Sequence, residues 1–566
     1  MSQLKYSLAT FVTERIEVCM KLLPLSLALA LSLPTAFAAK KTSQEYWQET
    51  GLTTEIMLKL KFLAHDNCVS TINQLQGCVA AINSVGARAN PPIELVPQSL
   101  SGDPTFVGGM PFRIFPNFVL ASRAKAGNEP SAMAEWKKES TRREKLKNAL
   151  QAIVESGTNA DFELMFSHVL ERSVKDKADD SMVAAKAITA LLNASEDAHA
   201  HLDARAEVSD SLNDATEDFV GIGATLQELN GRIIIQAPTD GGPAKKAGIL
   251  PNDIIASIDE TPTDGMSVDQ AVKRIRGTAG TNVALKVLRR GKILEISISR
   301  ARIVLENVIA ETRNELGENY GYIRLRNFMD NHACEKIEGL VKRFEEQKVK
   351  GLVLDLRGNG GGLLDQALCI GGLFVGRQVI TKVKDLRSET FQDLSSEKDQ
   401  ITRLPLAILI DAGSASASEI LSGALQDYKR AWVLGERSFG KATVQSPDAF
   451  LGNPRIMFFH TIQRFYQPSG RTNQIVGIIP DLTVPMKPNA TEEERFAQRE
   501  AELLPNALSA VGPAWVQPRV EEMKRLENCV SSGNLAKKTY AKASENSETA
   551  DYQVMAAQEV LLCRVP

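Results

Sequence analysis

The sequence predicts a multi-domain α/β protein, and three observations carry the prediction. Strands and helices alternate from Asn319 to Gly435, short β-rich runs precede them between Val220 and Ile303, and apolar residues recur at helical spacing between Ala39 and Arg205. With 566 residues the chain is too long for one core, so two to four units are expected. A net charge of −3 from 66 basic and 69 acidic residues leaves no basic excess for a phosphate backbone, which excludes nucleic acid as the main partner.

The first element is the apolar run Leu22–Leu33, preceded by Lys21 and followed by Ala36 and Ala38 at the −3 and −1 positions before Ala39. It is too short to span a bilayer and has the layout of a secretory signal over 1–38, cleaved before Ala39. Translation from Met20 and retention as an uncleaved anchor are the alternatives. Export permits disulfides among the six mature cysteines. Proximity pairs Cys68 with Cys78 and Cys529 with Cys563, leaving Cys334 and Cys369 as buried thiols, although six cysteines allow fifteen connectivities. None has CxxC spacing, so no metal and no cofactor are expected.

Residues 39–205 form a helical region with an irregular Pro-rich insert around 90–116. At its end Asp197-Ala-His-Ala-His201 places two histidines at i, i+2, which on a helix point to different faces and suit structural rather than metal roles. Strands follow at Gly221–Gln227, Arg232–Ala237, Asp253–Asp259, Asn282–Leu288 and Ile293–Ser299, interrupted by an amphipathic helix at Ser267–Arg276, as in a small, partly closed β-barrel. The next stretch alternates strand Gly321–Asn327, helix Cys334–Gln347, strand Gly351–Leu356, helix Leu363–Phe374, strand Pro405–Ile410, helix Ala417–Tyr428 and strand Ala431–Gly435. That order implies parallel strands, with a site at their C-terminal ends. The tail from about 489 is helical and charged.

Three small-residue clusters sit at those strand ends. Arg357-Gly-Asn-Gly-Gly-Gly362 can turn backbone N–H groups toward a developing anion, or bind phosphate, or form a tight turn. Ser414-Ala-Ser-Ala-Ser418 can expose a hydroxyl at a helix N-terminus or act as a cap. Lys441, in Glu436-Arg-Ser-Phe-Gly-Lys-Ala-Thr-Val-Gln445, can serve as a general base if desolvation keeps it neutral.

Taken in order, GIGA, DLRGNGGG, SASASEI with ALQD, GERSFGKATVQ and the Ile-Pro-Asp ending at Asp481 resemble the carboxyl-terminal processing, or tail-specific, proteases over about 219–485. The resemblance implies a ClpP/crotonase-like α/β protease core at 304–488 with an inserted PDZ domain at 218–303, between helical regions at 39–205 and 489–566. It assigns Ser416 as nucleophile and Lys441, twenty-five residues later, as general base. Ser414 and Ser418 remain alternative nucleophiles. Gln445, one helical turn after the lysine, orients it, and Asp427 supports the site. Gly360, Gly361 and Ala417 are expected to hold the oxyanion, and Gly221, Ile222, Gly223 and Ala224 to form the carboxylate-binding loop for apolar protein C-termini. A Ser–Lys pair needs no histidine. The implied compartment is the periplasm of a Gram-negative bacterium. An adaptor lipoprotein and homo-oligomerisation are left open. The competing expectations are a non-catalytic PDZ scaffold, which predicts damage at Ser416 or Lys441, and a crotonase-like acyl-transfer enzyme, against which export and a PDZ unit count.

Overall fold

The computed structural model describes residues 43–486 with short breaks, the longest at 60–70, 104–111, 123–130 and 210–218, and in the tail 499–500, 507–513, 521–526 and 551–563. The segment 1–38 expected to be a secretory signal lies outside the described residues, as do Cys68 and Cys529.

The N-terminal region is built on helices α1 (Ser43–Thr50), α2 (Thr54–Lys59), α3 (Ile72–Gly86), α4 (Ala132–Ser156), α5 (Phe162–Ser173) and α6 (Asp180–Ala194). Caps define their ends: Thr71 and Ser131 side chains accept from the Gln74 and Ala134 N–H groups, and Gly157 closes α4 at φ 66°. Leu75, Ile82, Phe166 and Ile188 bring the apolar faces of α3, α5 and α6 into one core. The Pro-rich insert is more ordered than its composition suggests. Strands β1 (Ile93–Pro97), β2 (Phe112–Phe115) and β3 (Phe118–Ser122) form an antiparallel sheet in the order β1-β3-β2, because their aromatic and β-branched residues pair while Pro97 stands at a strand end. The segment carrying the two histidines is likewise not helical. It leads into strand β4 (His201–Ala204), which pairs antiparallel with residues 456–459, His201 opposite Phe459, and so joins this region to the α/β unit.

The next unit comprises β5 (Phe219–Gly221), β6 (Ala224–Leu229), β7 (Arg232–Pro238), α7 (Pro243–Lys246), β8 (Ile254–Ile258), β9 (Thr261–Pro262), α8 (Val268–Ile275), β10 (Asn282–Arg289), β11 (Lys292–Ser299) and β12 (Ala301–Ile303). In β10 the inward residues Val283, Leu285 and Val287 are fully buried between more exposed neighbours, and they meet Ala271 and Ile275 of α8. The sheet order β11-β10-β8-β7-β6 leaves β6 at the edge.

The α/β unit comprises β13 (Val308–Arg313), β14 (Tyr320–Leu325), α9 (Ala333–Glu346), β15 (Leu352–Asp355), α10 (Leu364–Val375), β16 (Val379–Asp385), β17 (Phe391–Ser395), β18 (Leu406–Ile410), α11 (Ala417–Asp427), β19 (Trp432–Gly435), β20 (Thr443–Ala449), β21 (Ile456–Tyr466) and β22 (Leu482–Thr483). Its main sheet runs β13-β14-β15-β18-β19-β22, parallel except for the antiparallel β13 edge. Both faces are covered, which is why β15 and β18 are apolar throughout rather than alternating. Leu352, Leu354, Ile408 and Ile410 face α9, α10 and α11, whereas Val353, Ala407 and Leu409 face the tail helix α12 (Tyr552–Leu562). A second, antiparallel sheet runs β17-β16-β21-β20.

One expectation about the cysteines is corrected. Cys334 of α9 and Cys369 of α10 are not thiols but a disulfide, because the two helices pack side by side on one face of the sheet. Cys78 and Cys563 are also disulfide-bonded. Among the described residues no helix is long and apolar enough to cross a membrane.

Candidate active site

The loops after β15, β18 and β19 meet at the C-terminal edge of the main sheet. Ala415 N–H and the Ser418 hydroxyl both donate to Asn359 O, at 3.0 and 2.8 Å, and Phe439 N–H donates to Ser414 O at 3.0 Å. The glycine loop touches the serine turn directly: a Cβ on Gly361 (φ +102°) would lie 2.9 Å from Ser416 Cβ and 3.0 Å from Ala417 N, so only glycine fits. Ser416 itself has φ 54° and ψ −113°, a strained conformation for a non-glycine residue, at the N-terminus of α11.

The three serines of the turn have different surroundings. Ser414 and Ser418 are fully buried, their hydroxyls donating to Leu356 O and Asn359 O at 2.8 Å. Ser416 is half-buried. Structural hydrogen bonds thus occupy the outer two hydroxyls and leave the middle serine on the reachable side of the turn.

Glu419 connects Ser416 to Lys441. Its Oε2 accepts from Ser416 N–H at 2.9 Å and Lys441 N–H at 3.0 Å, so the two backbones can be no farther apart than those two lengths together. Its Oε1 accepts from the Ser438 hydroxyl at 2.5 Å and Gly440 N–H at 2.8 Å. Full burial pushes this carboxyl up to about 7, against the pull of those four donors.

Burial also lowers the Lys441 ammonium from its ordinary value, opposed by the charges of Glu500, Glu419 and Asp197. Lys441 Nζ donates to Gln445 Oε1 at 2.6 Å. Gln445 is not one helical turn away, as expected. It lies on β20, where a bulge between Val444 and Gln445 lets its side chain reach back to the lysine. The Gln445 amide donates to Thr443 and Thr461 hydroxyls, and Thr461 is bonded to Asp197 at 2.7 Å through both its N–H and its hydroxyl.

Two expected members stand apart from this cluster. Asp427 closes α11 at the end opposite Ser416, about 16 Å away at the helical rise. It pairs with Arg471 at 2.8 Å and accepts from Ser469 N–H, anchoring the loop whose Asn473 and Ile475 bond the backbone of Lys441 and Gly440. Gly361 N–H is taken by Asn359 Oδ1 at 2.9 Å, because the buried asparagine folds back over its own loop. Among the described residues no hydrogen bond takes the Gly360 or Ala417 N–H, and beyond its chain neighbours nothing stands within 4 Å of the position a Gly360 Cβ would take. At the other site, Gly223 has φ +68°, and Ile222 O and Gly223 O accept from Ala244 and Thr239 N–H groups, which fixes the turn into the edge strand β6. Gly221 ends β5, and Ala224 opens β6 opposite Pro238.

Family models match this frame: Peptidase family S41 over residues 319–484 and PDZ domain over 211–288. A carboxy-terminal-processing protease of Bartonella bacilliformis is 34% identical over 313 residues, 54% of this chain and 70% of that one. This chain belongs to the carboxyl-terminal processing protease family. A CtpA-like serine protease of Staphylococcus haemolyticus is 33% identical over 300 residues, 53% of this chain and 59% of that protein, so the chain spans less than two thirds of that relative. Among solved structures, a photosystem II D1 C-terminal processing protease is 26% identical, covers 58% of this chain and 90% of its own, and has a TM-score of 0.43.

As a member of that family, the chain carries neighbours of the candidate site that the motifs alone did not name. Glu419 stands three residues after Ser416, and that Ser-x-x-Glu spacing is the capping-box signal that could have found it. Asn359 shapes the glycine loop from within its own motif. Asp197 and Glu500 come from far along the chain: Glu500 Oε1 accepts from Gln474 at 2.6 Å and lies 3.1 Å from His199 Nε2, while Gln474 Oε1 holds Ala442 N–H. The histidine segment flanks the lysine.

Proposed function

We propose that this chain is an exported endopeptidase that captures apolar C-termini of proteins at its PDZ unit and hydrolyses peptide bonds with Ser416 as nucleophile and Lys441 as base. The observation that carries the proposal is the single buried carboxylate of Glu419, which holds a strained, reachable serine and a desolvated lysine beside open space at Gly360. Neutral Lys441 takes the proton from Ser416 Oγ as the oxygen attacks the substrate carbonyl carbon. Gly360 and Ala417 N–H groups stabilise the oxyanion of the tetrahedral intermediate. As the C–N bond breaks, the Lys441 ammonium returns its proton to the leaving amine, leaving an ester on Ser416. Water, deprotonated by Lys441, hydrolyses that ester. Gln445 keeps the amine aimed between these steps.

Substrate capture is assigned to the exposed edge of β6, to which an extended peptide adds as a strand, its carboxylate resting at the Gly221–Ala224 turn beside α8. The leader at 1–38 supports a periplasmic location, by cleavage or as an anchor. Delivery by an adaptor lipoprotein and assembly of several copies are compatible with this scheme. To test it, an unfolded protein with an apolar C-terminus is incubated with the parent and with Ser416→Ala and Lys441→Ala variants. Cleavage by the parent alone is expected. Three inert proteins that still bind the tail would move the scaffold reading ahead.

A further inference from the structure

The tail of this chain lies beyond the residues matched by the protease-family model, yet it reaches the loop assigned to the oxyanion. Arg357 opens that loop, and its guanidinium is held from two sides. On one side is Asp355, the last residue of β15 and fully buried, which accepts from Nε at 2.9 Å and Nη2 at 2.5 Å. On the other is Asp551, 194 residues away in sequence, which accepts from Nη1 at 3.0 Å and Nη2 at 2.6 Å. Gln553 Oε1 takes a further Nη1 bond at 2.8 Å. All five guanidinium donors are therefore engaged, three of these bonds going to the tail.

The tail partners are themselves fixed. Asp551 is the N-cap of α12, accepting from Val554 N–H, and Gln553 Nε2 donates to Val484 O at 2.6 Å. Helix α12 buries Val554, Ala557, Val560 and Leu561 on the face of the sheet opposite α9–α11. Asp355 also accepts from the Tyr322 hydroxyl at 2.7 Å. Burial would raise its carboxyl, but Arg357 and these bonds hold it at about 2, so it stays charged.

The leverage on chemistry lies at Gly360. No atom outside its chain neighbours approaches its Cβ position within 4 Å, so packing does not aim its N–H. Its direction follows the Asn359 carbonyl across their shared peptide plane, which Ala415 N–H and the Ser418 hydroxyl hold, and the two ends of the loop carry further anchors. One is the Phe328–Gly362 bridge, with Phe328 N–H bonded to Gly361 O at 2.8 Å. The other is Arg357, followed at once by Gly358 in the left-handed region.

We infer that helix α12 is a working part of the catalytic unit, with Asp551 and Gln553 acting as positioning residues that hold Arg357 and, through it, the oxyanion loop. This inference rests on the peptidase reading above. Loss of the tail-side bonds leaves Arg357 attached to Asp355, so the sheet end stays intact while the start of the loop loses its restraint from the tail. The effect belongs to the transition state, not to substrate capture.

The test uses full-length Asp551→Asn and Gln553→Met variants and four measurements: kcat, KM, affinity for a peptide aldehyde whose adduct carries the oxyanion, and binding of an uncleaved substrate in the Ser416→Ala background. Active-site titration counts the folded enzyme. Expected is a fall in kcat of about tenfold or more, with KM and uncleaved-substrate binding within about twofold and aldehyde affinity falling in step with kcat. Unchanged kcat and aldehyde affinity per titrated site would overturn the inference, as would losses confined to KM. If Asp551→Asn does not fold, Gln553→Met, which removes one of the five bonds, decides on the same constants. An inactive parent that binds no aldehyde would sink the peptidase reading itself, whereas an active parent with equally active variants sinks only the role of α12.

Discussion

Replacing Glu419 with glutamine separates the charge of the central carboxylate from its shape. The parent carboxyl serves four donors with two oxygens, and glutamine has one acceptor oxygen. If that oxygen keeps the Ser416 and Lys441 N–H groups, the amide NH2 faces Gly440 N–H and the Ser438 hydroxyl. The hydroxyl can turn and accept, but Gly440 N–H loses its partner, at a cost of about 1–3 kcal/mol. Against this stands the cost of burying the charge. A carboxyl raised to about 7 from an ordinary 4.5 favours the folded state in its protonated form. Its contribution is fully present below the unfolded value and is lost as pH rises through 7, on the order of 3 kcal/mol in all. The variant lacks this dependence. Urea unfolding of both proteins at pH 5 and pH 8.5 is therefore expected to show the variant less stable at pH 5 by about 1–3 kcal/mol, with the gap closed or reversed at pH 8.5. Hydrolysis by the variant should fall about a hundredfold, since the Gly440 backbone next to Lys441 loses its anchor and the base shifts. A gap that stays constant from pH 5 to 8.5 would refute the reasoning, because Glu419 would then be ionised throughout.

Three further expectations concern neighbouring groups. Asp427→Ala should cost about 3–5 kcal/mol in an unfolding titration by removing the carboxylate that faces the buried Arg471 guanidinium, while the folded fraction keeps its kcat and pH profile; a shifted profile in a stable protein would instead mark Asp427 as a proton carrier. Glu500→Gln removes the charge that most opposes deprotonation of Lys441, so the rising limb of the pH–rate profile should move to lower pH, and a move upward would contradict the assignment. Replacing both Cys334 and Cys369 with alanine opens a closure of 35 residues and should lower the unfolding free energy by on the order of 4 kcal/mol in chain-entropy terms, measured by chemical denaturation.

What the sequence made legible was local. Leu352-Val-Leu-Asp-Leu356 and Leu406-Ala-Ile-Leu-Ile410 announce strands covered on both faces, and the small-residue clusters after them mark where the backbone turns at the sheet edge. From that arrangement the serine and lysine loops had to be neighbours. The remaining features depend on contacts across long separations, which periodicity does not encode. Asp197 reaches Gln445 through Thr461, Glu500 reaches Ala442 through Gln474, and Asp551 reaches Arg357, each by docking of a distant segment on the catalytic unit. The sheet within the Pro-rich insert was obscured because its prolines were read as breakers, although apolar runs lie between them. The Cys334–Cys369 bond was missed because nearness in sequence favoured other pairs, whereas two helices packed on one face brought these together. Gln445 was placed one helical turn from the lysine by the family resemblance, and a strand bulge achieves the same reach.

The central claim, a serine at 416 activated by the lysine at 441, is tested most directly by acid-quenching the enzyme during turnover and locating the substrate ester by mass spectrometry. The account predicts an acyl group on Ser416 in the parent and none in Lys441→Ala under the same conditions. An ester on Ser414 or Ser418, or steady cleavage with no ester on any serine of the turn, would contradict it.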